Sequence, residues 1–209
     1  MKTVTYEQFL TFKPCWLYDT NTEKQLQEIG SRKAEWTAID VLNLDEVSEG
    51  NRLWAVLREE FIDAKILHEF ACRCAERALS WIANPDPRSI KAIAVKRKWI
   101  AGKATDRALY AAERAAWYAA ERVVRSAATW HDTWPDMEAA TWSAREAARE
   151  AVKTNARRAA WKAAEHAAYA AWHIAMEAVD AAIAWEKERQ WQIYYLKRLL
   201  TEGCAENDN

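Results

Sequence analysis

The chain has 209 residues, 51% hydrophobic and 29% charged, which is the composition of an ordinary globular protein with room for one large core or two small ones. Its net charge of −1 leaves no overall field that would select nucleic acid or a membrane. No apolar run reaches the roughly 18 residues of a membrane span, MKTVTYEQFLTFKP lacks the apolar stretch of a signal peptide, and Cys15, Cys72, Cys74 and Cys204 make no disulfide framework at this length. The expected setting is the cytoplasm.

Residues 1–58 read as short helices. TYEQFLTF forms one, ended by Pro14, and TEKQLQEI forms another, with Asn21 or Thr22 as cap and Gly30 as the C′ residue. WTAIDVLNL and NRLWAVLREEF follow, split near Gly50, and nothing alternates long enough for a strand. Asp63 is placed to cap a helix carrying Ile66, Leu67, Phe70, Ala71, Cys74, Ala78, Leu79 and Ile82 at helical spacing. NPDPRS breaks it, and Pro87 suits the first turn of the next helix, which Gly102 closes. Thr105 caps a helix to about Trp130, and Pro135 starts the last helical stretch after HDTW. The expected organisation is a short-helix region over 1–58, a bundle rich in Ala and Trp over 59–200, and an acidic disordered tail over 201–209.

Residues 104–200 contain no Gly and one Pro. Ala160, Ala164, Ala167, Ala171, Ala175, Ala178 and Ala182 step by 4, 3, 4, 4, 3 and 4, an 11-residue period that keeps one stripe facing one way. Ala108, Ala112, Ala115, Ala119, Val123 and Ser126 repeat the pattern. One helix over 135–200 would span roughly 100 Å, so a break is expected at Thr154–Asn155, where two poor helix formers meet. The fold class is therefore all-α: a multi-helix bundle with long Ala-rich helices and an irregular helical N-terminal region. Trp161 and Trp172 flank the seam, and Trp185 extends it.

HEFACRCAERALSWIANPDPRSIKAIAVKRKWIAGKATDRALYAAERAAWYAAE resembles a helical immunity-protein-like family of bacterial and phage genomes. The resemblance rests on the run from Cys74 to Leu79, a Pro-containing break, Arg97-x-Trp99-x-x-Gly102 and the Ala-rich helix after it. It covers about residues 60–130, with looser Ala/Trp similarity to 185. FKPCWL and EWTAIDVLNLDEV look like segments of phage-borne members. The resemblance implies an all-α, toxin-binding protein, in the host cytoplasm if phage-encoded, and carries no catalytic residues over.

The residues themselves hold no P-loop, GxGxxG, GxSxG, HExxH or CxxC, so no enzyme and no cofactor are expected. Cys72 and Cys74 point roughly 200° apart on a helix and read as small buried thiols. His166, His173 and Glu177 share a helix face, but ligands seven residues apart sit about 10 Å apart along the axis, too far for one ion, so no metal site is expected. Trp117 and Trp142 lie two positions past stripe alanines, among charges, so each is either covered by another helix or part of a recognition surface. The binding residues proposed from sequence are Tyr110, Arg114, Trp117, Trp142, Arg145 and Arg149. A second candidate is the basic cluster Arg88, Lys91, Lys96, Arg97 and Lys98 beside Trp99, suited to a nucleotide held by Arg and stacked on Trp, or else a solvated face. Trp99 itself is expected in the core. The leading expectation is a non-enzymatic inhibitor of bacterial or phage conflict that occludes a protein target. Residues 1–50, with 5 Lys/Arg against 9 Asp/Glu, would suit a basic toxin surface. The alternative is a phage counter-defence protein that sequesters a small nucleotide. Self-association stays open, and neither a membrane nor a nucleic acid is an expected partner.

Overall fold

In a computed structural model the chain is all-α, and the structure describes residues 1–14, 20–127, 136–176 and 180–203. The HDTW connection with Pro135, Cys15, Glu177, Ala178 and the tail 204–209 lie outside these residues, as do the side chains of Glu121, Val123, Ser126 and Glu138. The described elements are β1 (Thr3–Val4), α1 (Tyr6–Leu10), α2 (Thr20–Ser31), β2 (Trp36–Thr37), α3 (Ala38–Leu42), α4 (Glu49–Val56), α5 (Ala64–Ser80), α6 (Pro87–Ile100), α7 (Asp106–Ala127), α8 (Asp136–Ala151), α9 (Ala156–Ala175) and α10 (Ala181–Glu202). None of these helices is long and apolar enough to cross a membrane.

Local chemistry explains the boundaries. Thr5 and Thr37 each form a reciprocal capping box, with Gln8 and Asp40, directly after the two antiparallel strand residues that pair Val4 with Trp36. This two-residue ladder is the one departure from the all-helical expectation, and it is too short to alternate visibly in sequence. Asp86 caps α6 with Pro87 at its start, Gly102 follows α6 at φ 70°, and Thr105 Oγ1 accepts from Ala108 N at 3.2 Å to open α7. Asn155 caps α9 through Arg158 N at 2.8 Å, so the break expected at Thr154–Asn155 is present. Asp63 sits at the N-terminus of α5 but makes no capping bond; its carboxylate pairs with Lys2 at 2.8 Å.

Gly30 and Gly50 do different jobs from those expected. Helix α2 continues through Gly30 to Ser31, and a β-carbon at Gly30 would stand 2.4 Å from Tyr6 Cδ2. Close approach of the tyrosine ring, not helix termination, requires glycine there. Gly50 lies in the first turn of α4, which Ser48 caps.

Helix α9 is the hub and packs against α8, α5 and α10. It therefore buries two alanine rows rather than one: Ala160, Ala164, Ala167 and Ala171 as expected, and also Ala156, Ala159, Ala163 and Ala170. Alanine on several sides lets neighbouring helices approach closely, and Ala139, Ala140, Ala144, Ala147, Ala148 and Ala151 of α8 answer them. The 11-residue stripe does not run on, because α9 ends at Ala175 and Ala182 is exposed at the start of α10. On α7 the buried row is Leu109, Ala112, Ala116 and Ala119, with Ala108 exposed, so the seam is rotated from the one read in sequence. The main core is continuous from Val4, Ile29 and Trp36 through α5 and α9 to Leu196 and Leu199. Arg58 is buried within the N-terminal region: its guanidinium lies 3.9 Å from the Phe12 ring centre and 4.4 Å from that of Trp54, and burial lowers its pKa to about 10.

Candidate functional site

Because α7 packs Leu109, Ala112, Ala116, Ala119 and Ala120 inward, against α6 and α8, the opposite side of its described residues is open. Helical spacing brings Tyr110, Arg114, Trp117 and Tyr118 together on that open side. Tyr110 is 61% exposed, Trp117 42% and Tyr118 45%. They are not loose: Arg114 Nη2 donates to the Tyr118 hydroxyl at 3.2 Å, and the Trp117 and Tyr118 rings meet edge to face at 4.8 Å. Tyr118 was not singled out from sequence, although its place directly after Trp117 and four past Arg114 was the available signal.

The other half of the six-residue set does not join this surface. Trp142 is half-buried, edge-on to His166 of α9 at 5.6 Å. Arg145 Nη1 donates to the Ala119 carbonyl of α7 at 3.0 Å and so ties α8 to α7. Arg149 pairs with Glu146 at 2.7 Å and Glu150 at 2.9 Å, two carboxylates that are themselves buried, and Arg158 completes the group on Glu150 at 3.0 Å. Burial raises the pKa of Glu146, whereas at Glu150 burial is outweighed by Arg158 and Arg149, which hold it down. Trp142, Arg145 and Arg149 therefore serve packing within the bundle. The reason is tertiary: α8 has neighbours on sides that its own sequence leaves polar.

The basic cluster also comes apart. Arg88 is bound by its own capping residue, Asp86, at 2.7 Å. Arg97 grips Glu69 side-on, at 2.9 and 3.2 Å, and Glu76 at 3.0 Å. Lys96 is fully buried; its ammonium donates to the Lys153 carbonyl at 2.8 Å and sits 3.9 Å from the centre of the Trp99 ring. Burial lowers the Lys96 pKa to about 8 and that of neighbouring His68 to about 4, where Lys96 adds to the effect and a hydrogen bond with the Thr154 backbone opposes it. Lys96 and His68 thus anchor the α8–α9 corner, a role the sequence gave no sign of. Trp99 is half-buried rather than core and donates Nε1–H to Asp106 at 2.7 Å. Only Lys91 and Lys98 of the five cations are exposed, so the cluster is not one anion-binding face.

Cys72 and Cys74 are both buried, and burial raises both thiols, Cys72 to about 12. His173 lies edge-on to Trp172 at 4.8 Å, and no three His, Cys, Asp or Glu among the described residues are grouped to hold an ion. A buried polar group on α10 escaped the sequence reading. Glu188 receives Arg77 Nε at 2.6 Å and Gln192 Nε2 at 3.0 Å, and Gln192 also donates to the Ala164 carbonyl at 2.9 Å. Its signal was the 4, 4, 3 spacing of Glu188, Gln192, Leu196 and Leu199 along one helix row.

No protein-family model matches the chain, and no curated protein or solved structure matches it.

Proposed function

We propose that this protein is a non-enzymatic binding protein that acts by occluding a protein target, with the open face of α7 as its docking surface. The observation that carries this reading is the exposed set of Tyr110, Arg114, Trp117 and Tyr118 on one face of α7, in which Arg114 and Trp117 are each held against Tyr118. Tyr, Trp and Arg are the residues that dominate protein–protein binding energies, and a helix face presents them at little entropic cost. The immunity-protein-like resemblance over residues 60–130 includes this helix and supports a role in bacterial or phage conflict. The nucleotide alternative has less support, since Arg88 and Arg97 are tied to carboxylates and Lys96 is buried.

The test is affinity capture from the native host with wild type and with Tyr110→Ala/Trp117→Ala, alongside thermal melts of both. The expected result is that a protein retained by the wild type is lost from the variant while the melt barely moves. Retention of the same protein by a stably folded variant refutes the surface. Nucleotide released from the purified protein, or a melting shift with added nucleotide, would favour the sequestration reading instead.

A further inference from the structure

Residues 87–120 carry eight Lys/Arg and two Asp/Glu, and α6 contains no acid at all. The fold sorts these charges. Arg88, Lys96 and Arg97 are used inside the structure, as described above. Of the two acids, Glu113 is paired with Lys153, while Asp106 accepts from the neutral indole of Trp99 and keeps its charge at the surface. Lys91, Lys98, Lys103 and Arg107 are exposed, and their side chains enter no ion pair or hydrogen bond with a described residue. Lys91 and Lys98 are seven apart on α6, Arg107 and Arg114 seven apart on α7, and Lys103 lies in the turn between. Seven residues is two helical turns, so each pair shares a helix face. The solvent side of this hairpin is thus a net basic rim, four cations against the carboxylate of Asp106, continuing into the aromatic face of α7. Beside Lys98, a mainly apolar trough of about 550 Å³ lies between α5 and α6, lined by Leu79, Pro85, Ile90 and Ala94 with the mutually paired Glu76 and Arg97 at its wall, and Ile90 is 50% exposed.

Building on the docking role of α7, we propose that the α6–α7 hairpin receives an acidic protein segment: carboxylates on Lys91, Lys98, Lys103 and Arg107, apolar side chains in the trough and against Tyr110 and Trp117. A nucleic acid fits less well. Trp117 and Tyr118 meet edge to face at 68°, so they offer no pair of parallel platforms for successive bases, and the Ile90–Ala94 trough has nothing to meet on a phosphate backbone. The charge arrangement would steer an acidic partner and raise its rate of encounter, an effect that salt suppresses.

The experiment uses three probes: a labelled peptide of alternating glutamate and leucine, a labelled single-stranded oligothymidylate, and sedimentation of the protein alone. Full-length wild type, Lys91→Glu/Lys98→Glu/Arg107→Glu and Tyr110→Ala/Trp117→Ala are compared at low and physiological salt. The expected result is peptide binding by the wild type that weakens about tenfold or more with salt and with charge reversal, in variants whose melts are unchanged. Peptide binding that survives charge reversal but is lost in the aromatic variant overturns the acidic-partner proposal and leaves the α7 docking role standing. No peptide binding at low salt overturns the proposal alone, since capture of the host target by wild type is read separately. Preference for the oligonucleotide overturns both. Salt-sensitive self-association abolished by charge reversal reassigns the basic face to the acid-rich N-terminal region of a second copy.

Discussion

The two helical hairpins α6–α7 and α8–α9 differ in where their charges and aromatic rings go. In α8–α9 the helices are enclosed by α5, α7 and α10, and nearly every charged group is answered within the bundle: Arg149 and Arg158 by Glu150, Lys153 by Glu113, Arg145 by the Ala119 carbonyl. In α6–α7 one side is packed and the other faces solvent, with Lys91, Lys98, Lys103 and Arg107 unanswered and Tyr110, Trp117 and Tyr118 open among the described residues. Both hairpins are rich in Ala, Arg and Trp, but they differ in acids: α6 carries none, whereas α8 and α9 supply Glu146, Glu150 and Glu165. The number of neighbours decides how each exposed ring is held: Tyr169 of α9 is 42% exposed but lies against Trp185 of α10, whereas the contact of Trp117 with Tyr118 stays within α7.

The largest test of the comparison is the corner that joins the hairpins. His68 has a folded-state pKa of about 4, below its ordinary 6.5, because it is buried beside Lys96. The unfolded chain therefore binds the extra proton between these values, so the contribution of this ring to stability is full above pH 6.5 and is lost as pH drops toward 4. The loss is on the order of 3 kcal/mol. Urea midpoints across this range should show the drop in wild type and a flatter profile in His68→Gln. Equal slopes in both would mean that the α8–α9 corner is not held by this ring.

Packing provides the next contrast. Ala167→Leu, at a fully buried site on α9, should overpack the helix contact and cost about 1–3 kcal/mol, while Ala111→Leu, exposed on α7, should shift stability by less than about 0.5 kcal/mol. Similar denaturation midpoints for the two variants would erase the distinction between an enclosed and an open hairpin.

The two tryptophans sharpen the comparison further. Trp142→Ala should destabilise by about 1–2 kcal/mol, less than a full core tryptophan because the ring is only half-buried against His166. Trp117→Ala should change the melting temperature least, costing under about 0.5 kcal/mol, because its ring contact is to the neighbouring Tyr118 on the same helix. A Trp117→Ala loss as large as that of Trp142→Ala would show that α7 is covered and would remove the docking surface.

The sequence by itself determined the helices of the bundle and most of their ends. Asp86 with Pro87, Gly102, Thr105 and Asn155 act through hydrogen bonds and dihedral angles reaching no more than a few residues, so their effect is written locally. It also marked Tyr110, Arg114 and Trp117 as lying on one face, because helical periodicity is local too. Only the tertiary structure decided which faces were covered. Trp142, Arg145 and Arg149 carry the same polar surroundings in sequence as the α7 set, yet α7 and α9 pack around them; Lys96 and Arg97 sit in one basic run, yet one is buried under Trp99 and the other clamps two glutamates of α5. Gly30 could look like a helix stop only until Tyr6 was seen against it. Covering a face depends on helices far away in the chain, and no periodicity within one helix records where those neighbours will stand.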